Sequence, residues 1–252
     1  MPGTVPRANP CIGRGEAGPA RSHPVPLEFI LSRSVQMPVK TEIAGETLVL
    51  LPERAVFRPA TGELLVADAH WGKAATFRAA AIAVPGGTTR EGLLRLDAAL
   101  ARTGANRIVF LGDLFHAREG KSPATLSELA RWRDARPALD LMLVRGNHDR
   151  HAGDPPPGLG IGCVDPPLAA GGLVYAHHPA PHPEGYVLAG HLHPAVVLRG
   201  AGRQRERLPA FVFGARVGIL PAFGAFTGAA HVLPSPEDQV FVIADGEVAR
   251  VR

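Results

Sequence analysis

The pattern of apolar and polar positions divides the chain at a loop formed by residues 154–157. Before this loop, short apolar runs predict buried strands at 48–51, 55–57, 64–67, 107–111 and 139–144. Helix signals lie between these runs: a start after Gly72, a capping box of Thr88 and Glu91, and Pro123 directly behind Ser122. Because strands and helices alternate, the pattern predicts a parallel sheet in this part.

The part of the chain after the loop shows no helical periodicity. Its short apolar runs predict strands at 173–176, 186–189, 195–198, 210–213, 240–244 and 248–251. Asp245-Gly246 between the last two runs is a signal for a two-residue hairpin turn. Together the two parts predict one α/β domain over residues 39–252, a two-sheet β-sandwich flanked by helices.

Residues 1–38 differ from the rest in composition, since they are rich in Pro, Gly and Arg and show no periodicity. Such a segment buries too little apolar surface to offset its ordering entropy, so we interpret it as a disordered tail. Met37 directly precedes the first patterned sequence. A further hypothesis is therefore that the tail is an artefact of start-site choice.

Charge and cysteine content narrow the functional classes only a little. The chain has 27 Lys and Arg against 23 Asp and Glu, so a polyanion partner requires a local basic cluster. Two Cys give neither a disulfide framework nor metal-ligand spacing, which favours a cytoplasmic protein. Pro221 interrupts the most apolar region, and no run reaches the ~20 residues that a membrane span needs.

Polar side chains of one chemical kind stand just past successive apolar runs. They are Asp68, His70, Asp113, Asn147, His148, His177, His191 and His193. In open α/β sheets the ligand crevice lies outside the carboxyl ends of the strands, so these residues are expected to meet there. Carboxylates and imidazoles without thiolates suit Mn²⁺, Fe or Zn²⁺ better than Mg²⁺ or Ca²⁺.

Seven of these residues can ligate a metal, which is too many for one tetrahedral ion. Two ions that share a carboxylate would use all of them. Two metal ions roughly 3.5–4 Å apart are the arrangement for in-line displacement at phosphorus. One ion activates water, and both bind the anionic oxygens. A single Asp-x-His or Gly-Asp is ordinarily a cap or turn, but five pieces at successive strand ends favour the metal site. His177 and His178 compete for one ligand position, and His177 is favoured because it directly ends its strand.

These motifs resemble the five-part signature of the calcineurin-like metallophosphoesterases, a four-layer fold, over residues 47–200. Within that superfamily the chain is similar to the bacterial DNA-ligase-associated metallophosphoesterases, a family of DNA-damage-response endonucleases. The similar segments are Asp68-Ala-His-Trp-Gly-Lys73, Gly112-Asp-Leu-Phe-His116, Tyr175-Ala-His-His-Pro179, Gly190-His-Leu-His-Pro194 and residues 220–228. From the residues alone, 220–228 is predicted to be a strand–turn–strand unit with Thr227 as its one candidate catalytic group.

The resemblance implies a role for each residue. Asp68, His70 and His193 would hold one divalent ion, Asn147, His177 and His191 would hold the second, and Asp113 would bridge them. His148 would donate a proton to the leaving oxygen and Asp149 would orient it. The implied cofactors are two divalent metal ions, Mn²⁺ first, with Fe and Zn²⁺ as alternatives.

The resemblance also implies a phosphodiesterase or endonuclease that acts on DNA in a repair setting, with DNA ligase and helicase as partners and no membrane. Candidate substrate contacts are His116, Arg145, Lys73 and His178. For His116 the alternatives are a hydrogen bond to a ligand carboxylate and an ordinary surface position. For Lys73 the alternative is solvation at a helix start. A basic cluster of Arg199, Arg203, Arg205 and Arg207 is either a nucleic-acid contact or a solvated hairpin.

Two other functions stay open from the sequence. The first is hydrolysis of a small nucleotide or another small phosphodiester, because DNA as substrate rests on the resemblance. The second is a non-catalytic scaffold with the same fold, which would tolerate loss of the ligands. The oligomeric state is not predicted.

Overall fold

The computed structural model describes residues 38–84, 86–199, 205–225, 227, 228, 230–232 and 234–252. Its first sheet has seven strands in chain order. They are β1 (Val39–Ile43), β2 (Glu46–Leu51), β3 (Ala55–Arg58), β4 (Glu63–Val66), β5 (Arg107–Leu111), β6 (Asp140–Val144) and β7 (Ile161–Val164). Neighbours from β1 to β4 are antiparallel, whereas β4 to β7 are parallel, as the alternating pattern predicts.

The second sheet contains the later strands. They are β8 (Leu168–Ala170), β9 (Leu173–Tyr175), β10 (Tyr186–Ala189), β11 (Pro194–Arg199), β12 (Arg205–Phe213), β13 (Val217–Ile219), β14 (Ala230–His231), β15 (Gln239–Ala244) and β16 (Glu247–Arg250). Their order is β14-β11-β12-β13-β10-β9-β8, and β15 joins β12 to β16. Within this sheet β9, β10 and β13 run parallel, so their carboxyl ends lie at one edge.

The described residues form four α-helices: α1 (Lys73–Ala79), α2 (Thr88–Thr103), α3 (Pro123–Asp134) and α4 (Asn147–Ala152). Ser122 caps α3 by accepting a hydrogen bond from the Thr125 amide, with Pro123 at the first position as predicted. The predicted capping box at Thr88 is wrong. Gly87, in the left-handed conformation, precedes the helix and Thr88 is already helical. None of these helices is long and apolar enough to cross a bilayer.

The two sheets and the helices enclose two main apolar clusters. Leu65 and Leu111 pack between the sheets against Tyr175 and Phe211. Leu64, which precedes Leu65 on β4, belongs to the cluster beneath α2 and α3, because successive side chains in a strand point to opposite faces. The outer face of the second sheet carries a smaller apolar cluster around β12 and β15. The predicted helix-flanked sandwich is confirmed.

Some predictions concern residues that the structure does not describe, and one predicted element is wrong. Residues 1–37 of the predicted disordered tail and Arg203 of the basic cluster lie outside the described residues. The predicted strand–turn–strand unit is wrong at its start, since residues 220–224 form a loop. The amides of Phe223 and Gly224 donate to the carbonyls of Ala67 and Asp68, 2.8 and 3.0 Å away. This loop therefore packs against the end of β4.

Candidate metal centre

The predicted ligands meet where five strands of the two sheets end. Asp68 and His70 follow β4, Asp113 follows β5 and Asn147 follows β6 in the first sheet. The remaining three come from the second sheet: His177 follows β9, and His191 and His193 follow β10. Because these strands run in parallel within each sheet, their carboxyl ends deliver all seven side chains to one edge of the sandwich.

The backbone of this region is conformationally unusual. Nine non-glycine residues in the described part of the chain have positive φ, and the five metal-ligand candidates among them are Asp68, His70, Asp113, His191 and His193. Such conformations cost of order 1–3 kcal/mol each and persist where the surrounding structure enforces them. Five of the nine strained positions therefore lie at the predicted site, and three of the others, Ala44, Arg54 and Asp245, lie in turns that connect strands.

Glycines in the motifs make room for the ligand side chains. A Cβ atom on Gly190 would lie 2.4 Å from Oδ2 of Asp68, and one on Gly146 would lie 2.3 Å from Oδ1 of Asp113. Both distances are far below van der Waals contact. Gly146 and Gly190 are thus required because the carboxylate of a candidate ligand packs directly on the backbone of each.

Gly190→Ala is expected to displace the Asp68 carboxylate and lower metal occupancy by about tenfold or more at limiting metal, because poorly placed ligands lose affinity. Metal content after gel filtration, measured by mass spectrometry, checks this expectation. Gly158→Ala is the matched control, since a Cβ there meets nothing within 4 Å. Full metal content in both variants would show that the Gly190–Asp68 contact is unimportant for metal binding.

The first group of donor atoms lies around the Nε2 atoms of His70 and His193, which are 3.4 Å apart. Oδ1 of Asp68 is 3.4 Å from Nε2 of His193, and Oδ2 of Asp113 is 4.0 Å from Nε2 of His70. Within the described residues, the buried Asp68 Oδ1 has no hydrogen-bond donor. Nδ1 of His193 donates to the Gly228 carbonyl at 2.8 Å, so its Nε2 presents a lone pair.

The second group surrounds Nε2 of His177. Asn147 Oδ1 lies 2.8 Å away, His191 Nδ1 lies 3.1 Å away and Asp113 Oδ1 lies 3.4 Å away. Nδ1 of His177 donates to the Leu111 carbonyl at 3.1 Å, so Nε2 also presents a lone pair. Electron-pair donors so close together repel unless a proton or a metal cation lies between them. The residues present therefore fit a metal ion at each group, with Asp113 contributing one oxygen to each.

Burial and charge keep two of the candidate ligands, Asp113 and His70, in the form that binds metal. Burial raises the pKa of Asp113, but the hydrogen bond and charge of His177 and the His148 amide outweigh it and lower the pKa to about 2. Burial lowers the pKa of His70 to about 2, with a partial offset from Asp113. At neutral pH Asp113 is ionised and His70 is neutral, which are the states that coordinate metal.

His148 stands beside the donor groups with a fixed ring orientation. Its Nδ1 lies 2.7 Å from the His116 carbonyl, which can only accept, so Nδ1 carries a proton. Its Nε2 faces Asp113 Oδ2 at 3.8 Å. The His116 ring stacks on it, with centroids 5.0 Å apart. His148 can therefore hold or release a proton at Nε2, at the edge of the site.

Asp149 differs from its predicted role. Its carboxylate accepts hydrogen bonds from the backbone amides of Asp113, Leu114 and Gly146, at 2.7, 3.0 and 2.8 Å. These bonds tie the loops after β5 and β6 together. The His116 carbonyl, and not Asp149, orients His148. The sequence gives no signal for this contact because a backbone carbonyl is available at any residue.

The four predicted substrate contacts are in unlike environments. His116 lies against His148, and burial, with the charges of Lys73 and His148, lowers its pKa to about 4. The Lys73 side chain is buried, which contradicts the alternative of helix-start solvation. His178 is exposed beside His191, and its ring could join His177 and His191 around a metal ion, whereas only His177 also contacts Asn147 and Asp113.

Arg145 is held away from the donor groups by two acidic residues. Its guanidinium makes a bidentate pair with Asp154, both contacts at 2.8 Å, and a contact of 3.2 Å with Asp165. The hydrogen bonds to Asp154 accordingly raise the pKa of Arg145. Arg145 therefore fastens β6 to the loop after α4, which does not support its prediction as a phosphate contact.

Comparison with solved structures gave a strong match to a nuclease. No family model and no curated protein matches the chain. The crystal structure of the nuclease MPE from Pseudomonas putida is 42% identical in sequence, with a TM-score of 0.75, over 85% of this chain and 100% of that chain. The phosphoesterase YfcE from E. coli is 16% identical, with a TM-score of 0.38, over 75% of this chain and 97% of that chain.

The identity to the P. putida protein extends over that protein's whole length, and the fold and donor groups are those expected of a metal-dependent hydrolase. The E. coli match has too low a TM-score to add to this comparison. The chain therefore belongs to the metallophosphoesterase family and is a hydrolase of phosphoesters.

Proposed function

We propose that this protein is a dinuclear metal-dependent phosphodiesterase that cleaves DNA internally. The observation that carries the proposal is the Asp113 carboxylate, whose two oxygens face separate groups of donors. The similarity of this chain to a protein described as a nuclease supports nucleic acid as the substrate. Mn²⁺ is the proposed metal, with Fe and Zn²⁺ as alternatives, because the donors are mixed nitrogen and oxygen atoms. The repair setting and the ligase and helicase partners rest on the resemblance alone, and the cytoplasmic location rests on the cysteine content.

The chain's own residues would divide the work of hydrolysis. Divalent ions, when bound, activate water and neutralise the oxygens of the phosphodiester. Asp68, His70 and His193 would hold one ion, with Asp113 shared. Three further residues would complete the other position: Asn147, His177 and His191.

Departure of the alcohol depends on His148. As water attacks phosphorus, the bond to the leaving oxygen breaks, and Nε2 of His148 transfers its proton to that oxygen. The His116 carbonyl keeps the ring aimed at the site by holding Nδ1. This role requires His148 to be cationic at the start of the step, with a proton on each ring nitrogen.

A substrate panel with Mn²⁺ tests the proposal. The panel contains a phosphomonoester and a small aryl phosphodiester. It also contains linear and circular single-stranded DNA, duplex DNA and nicked duplex DNA. We expect metal-dependent cleavage of the aryl phosphodiester and of circular single-stranded DNA, both lost in a chelator. Turnover of the aryl ester without DNA cleavage would instead favour a small phosphodiester substrate. Absence of turnover and of bound metal would favour a scaffold.

A further inference from the structure

An arginine-lined cavity opens beside the metal centre, on the side of His193. Its volume is about 330 Å³, within the range of pockets that hold small ligands. Its walls include Arg54, Arg95, Arg207 and Thr227, and we name it the arginine cavity. His193 belongs both to these walls and to the first group of metal donors. A ligand that is bound at the metal centre can therefore extend into this cavity.

The three arginines converge from separate parts of the fold. Arg54 lies in the turn between β2 and β3, Arg95 lies on α2 and Arg207 lies on β12. Arg54 has φ of 61°, in the left-handed region that non-glycine residues seldom adopt. The turn holds Arg54 in this conformation at the cavity wall.

The charges of the cavity walls are unbalanced. The walls carry three guanidinium groups and one carboxylate, that of Glu91. Arg95 pairs with Glu91 at 2.7 Å and donates to the Phe223 carbonyl, so it is a fixed part of the wall. In the described part of the chain, neither Arg54 nor Arg207 has a carboxylate within ion-pair distance.

The environment of Arg54 favours an anion. Burial lowers the pKa of Arg54, the nearby positive charge of Arg95 lowers it further, and the Glu91 carboxylate offsets part of this shift. Arginine nevertheless stays protonated in proteins, so two guanidinium charges repel each other at the cavity wall. An anion placed among the arginines would relieve both effects.

We propose that the arginine cavity binds phosphate groups of the nucleic-acid strand next to the phosphodiester that is cleaved. The proposal rests on the proposed function. Guanidinium groups bind phosphate through paired, charge-assisted hydrogen bonds, and backbone contacts of this kind position a strand irrespective of its sequence. A small phosphodiester at the metal centre leaves the cavity unfilled, whereas a polynucleotide spans both.

Charge removal at Arg54 and Arg207 tests the proposal. The variants are Arg54→Gln, Arg207→Gln and the double variant, with Arg54→Lys/Arg207→Lys as the charge-conserving partner. Arg90→Gln is the matched control, because Arg90 is exposed on α2 and is not part of the cavity walls. The probe is a fluorescein-labelled single-stranded oligodeoxynucleotide, measured by anisotropy over a range of KCl. All proteins are metal-loaded and carry His148→Gln to slow cleavage.

Each single Gln variant is expected to raise the Kd roughly fivefold and the double variant roughly 20-fold, because the substituted side chains no longer neutralise backbone phosphates. The slope of log K against log salt is expected to flatten by about 0.7 for each phosphate that is no longer neutralised, and by about 1.4 in the double variant. The double Lys variant should keep the wild-type slope, because both charges remain. Arg90→Gln should match the wild type in both quantities.

A kinetic ratio separates strand binding from damage to the metal centre. In the double Gln variant with His148 intact, kcat/KM should fall at least about tenfold more for the oligonucleotide than for the aryl phosphodiester. Wild-type affinity and salt slope in the double Gln variant, with a native circular dichroism spectrum, would overturn the proposal. If that variant does not fold, the same two quantities are measured on Arg207→Gln, whose substituted side chain is exposed, and wild-type values there would overturn the proposal. Failure of the wild type to bind or cleave DNA would instead refute the proposed function.

Discussion

Asp113→Asn is expected to abolish metal binding and hydrolysis together. The Asn side chain keeps one oxygen but places an amide where Oδ2 now faces His70 and His148, at 4.0 and 3.8 Å. The bridging negative charge is removed and one group of donors is left without its shared oxygen. Because metal ions supply several kcal/mol of transition-state stabilisation, hydrolysis of the aryl phosphodiester should fall at least about 1,000-fold. Metal analysis and steady-state kinetics on the same preparation check both effects.

Asp134→Asn is the control for this substitution, since Asp134 is exposed at the end of α3. It should retain full metal content and activity. If Asp113→Asn retained two ions per chain, or hydrolysed the ester at the wild-type rate, the shared carboxylate would not organise the site.

His148→Gln is expected to retain metal and lose turnover. The proposed assignment makes His148 a ligand of neither ion, so metal content should stay at the wild-type value. Loss of a general acid lowers kcat by about 100- to 10,000-fold. The loss should be largest for esters of alkyl alcohols, including DNA, and smaller for a p-nitrophenyl ester, whose leaving oxygen needs little protonation. Comparing kcat for the two classes of ester measures this difference.

His182→Gln, at a histidine outside the groups of metal donors, is the control for His148 and should resemble the wild type. Two results would contradict the assigned role. One is an equal loss of kcat for both classes of ester, which indicates general damage. The other is loss of metal from His148→Gln, which would make His148 a ligand.

Most of the parallel sheet and the donor set could be predicted from the sequence. Each ligand follows an apolar run that directly forms a strand, so position along the chain fixes position at the sheet edge. Asp113 after β5 and His177 after β9 are examples. Periodicity also separates the two faces of β4, where Leu64 contacts the helices and Leu65 contacts the second sheet.

Short and irregular segments could not be predicted in the same way. Strands β7 and β8 have four and three residues, too few for a period to show. The loop at residues 220–224 is apolar, but its amides pair with the end of β4. Tertiary hydrogen bonds, which leave no local pattern, decide its conformation.

Long-range polar contacts explain the remaining differences. Asp149 is predicted to orient its neighbour His148, yet the three backbone amides that it accepts from arise from two loops. Arg145 lies next to a motif residue and points to Asp154 instead. The arginine cavity combines residues from positions 54, 95 and 207. Only the spacing of Glu91 and Arg95, one helical turn apart, gives a sequence signal for it.

Anomalous diffraction at the manganese edge, from crystals grown with Mn²⁺, tests the central claim most directly. We predict two peaks roughly 3.5–4 Å apart, the spacing of two-metal sites, with the Asp113 carboxylate between them. One peak should lie against His70 and His193, and the other against Asn147 and His177. A single peak, or two peaks without Asp113 between them, would contradict a dinuclear centre built on a shared carboxylate.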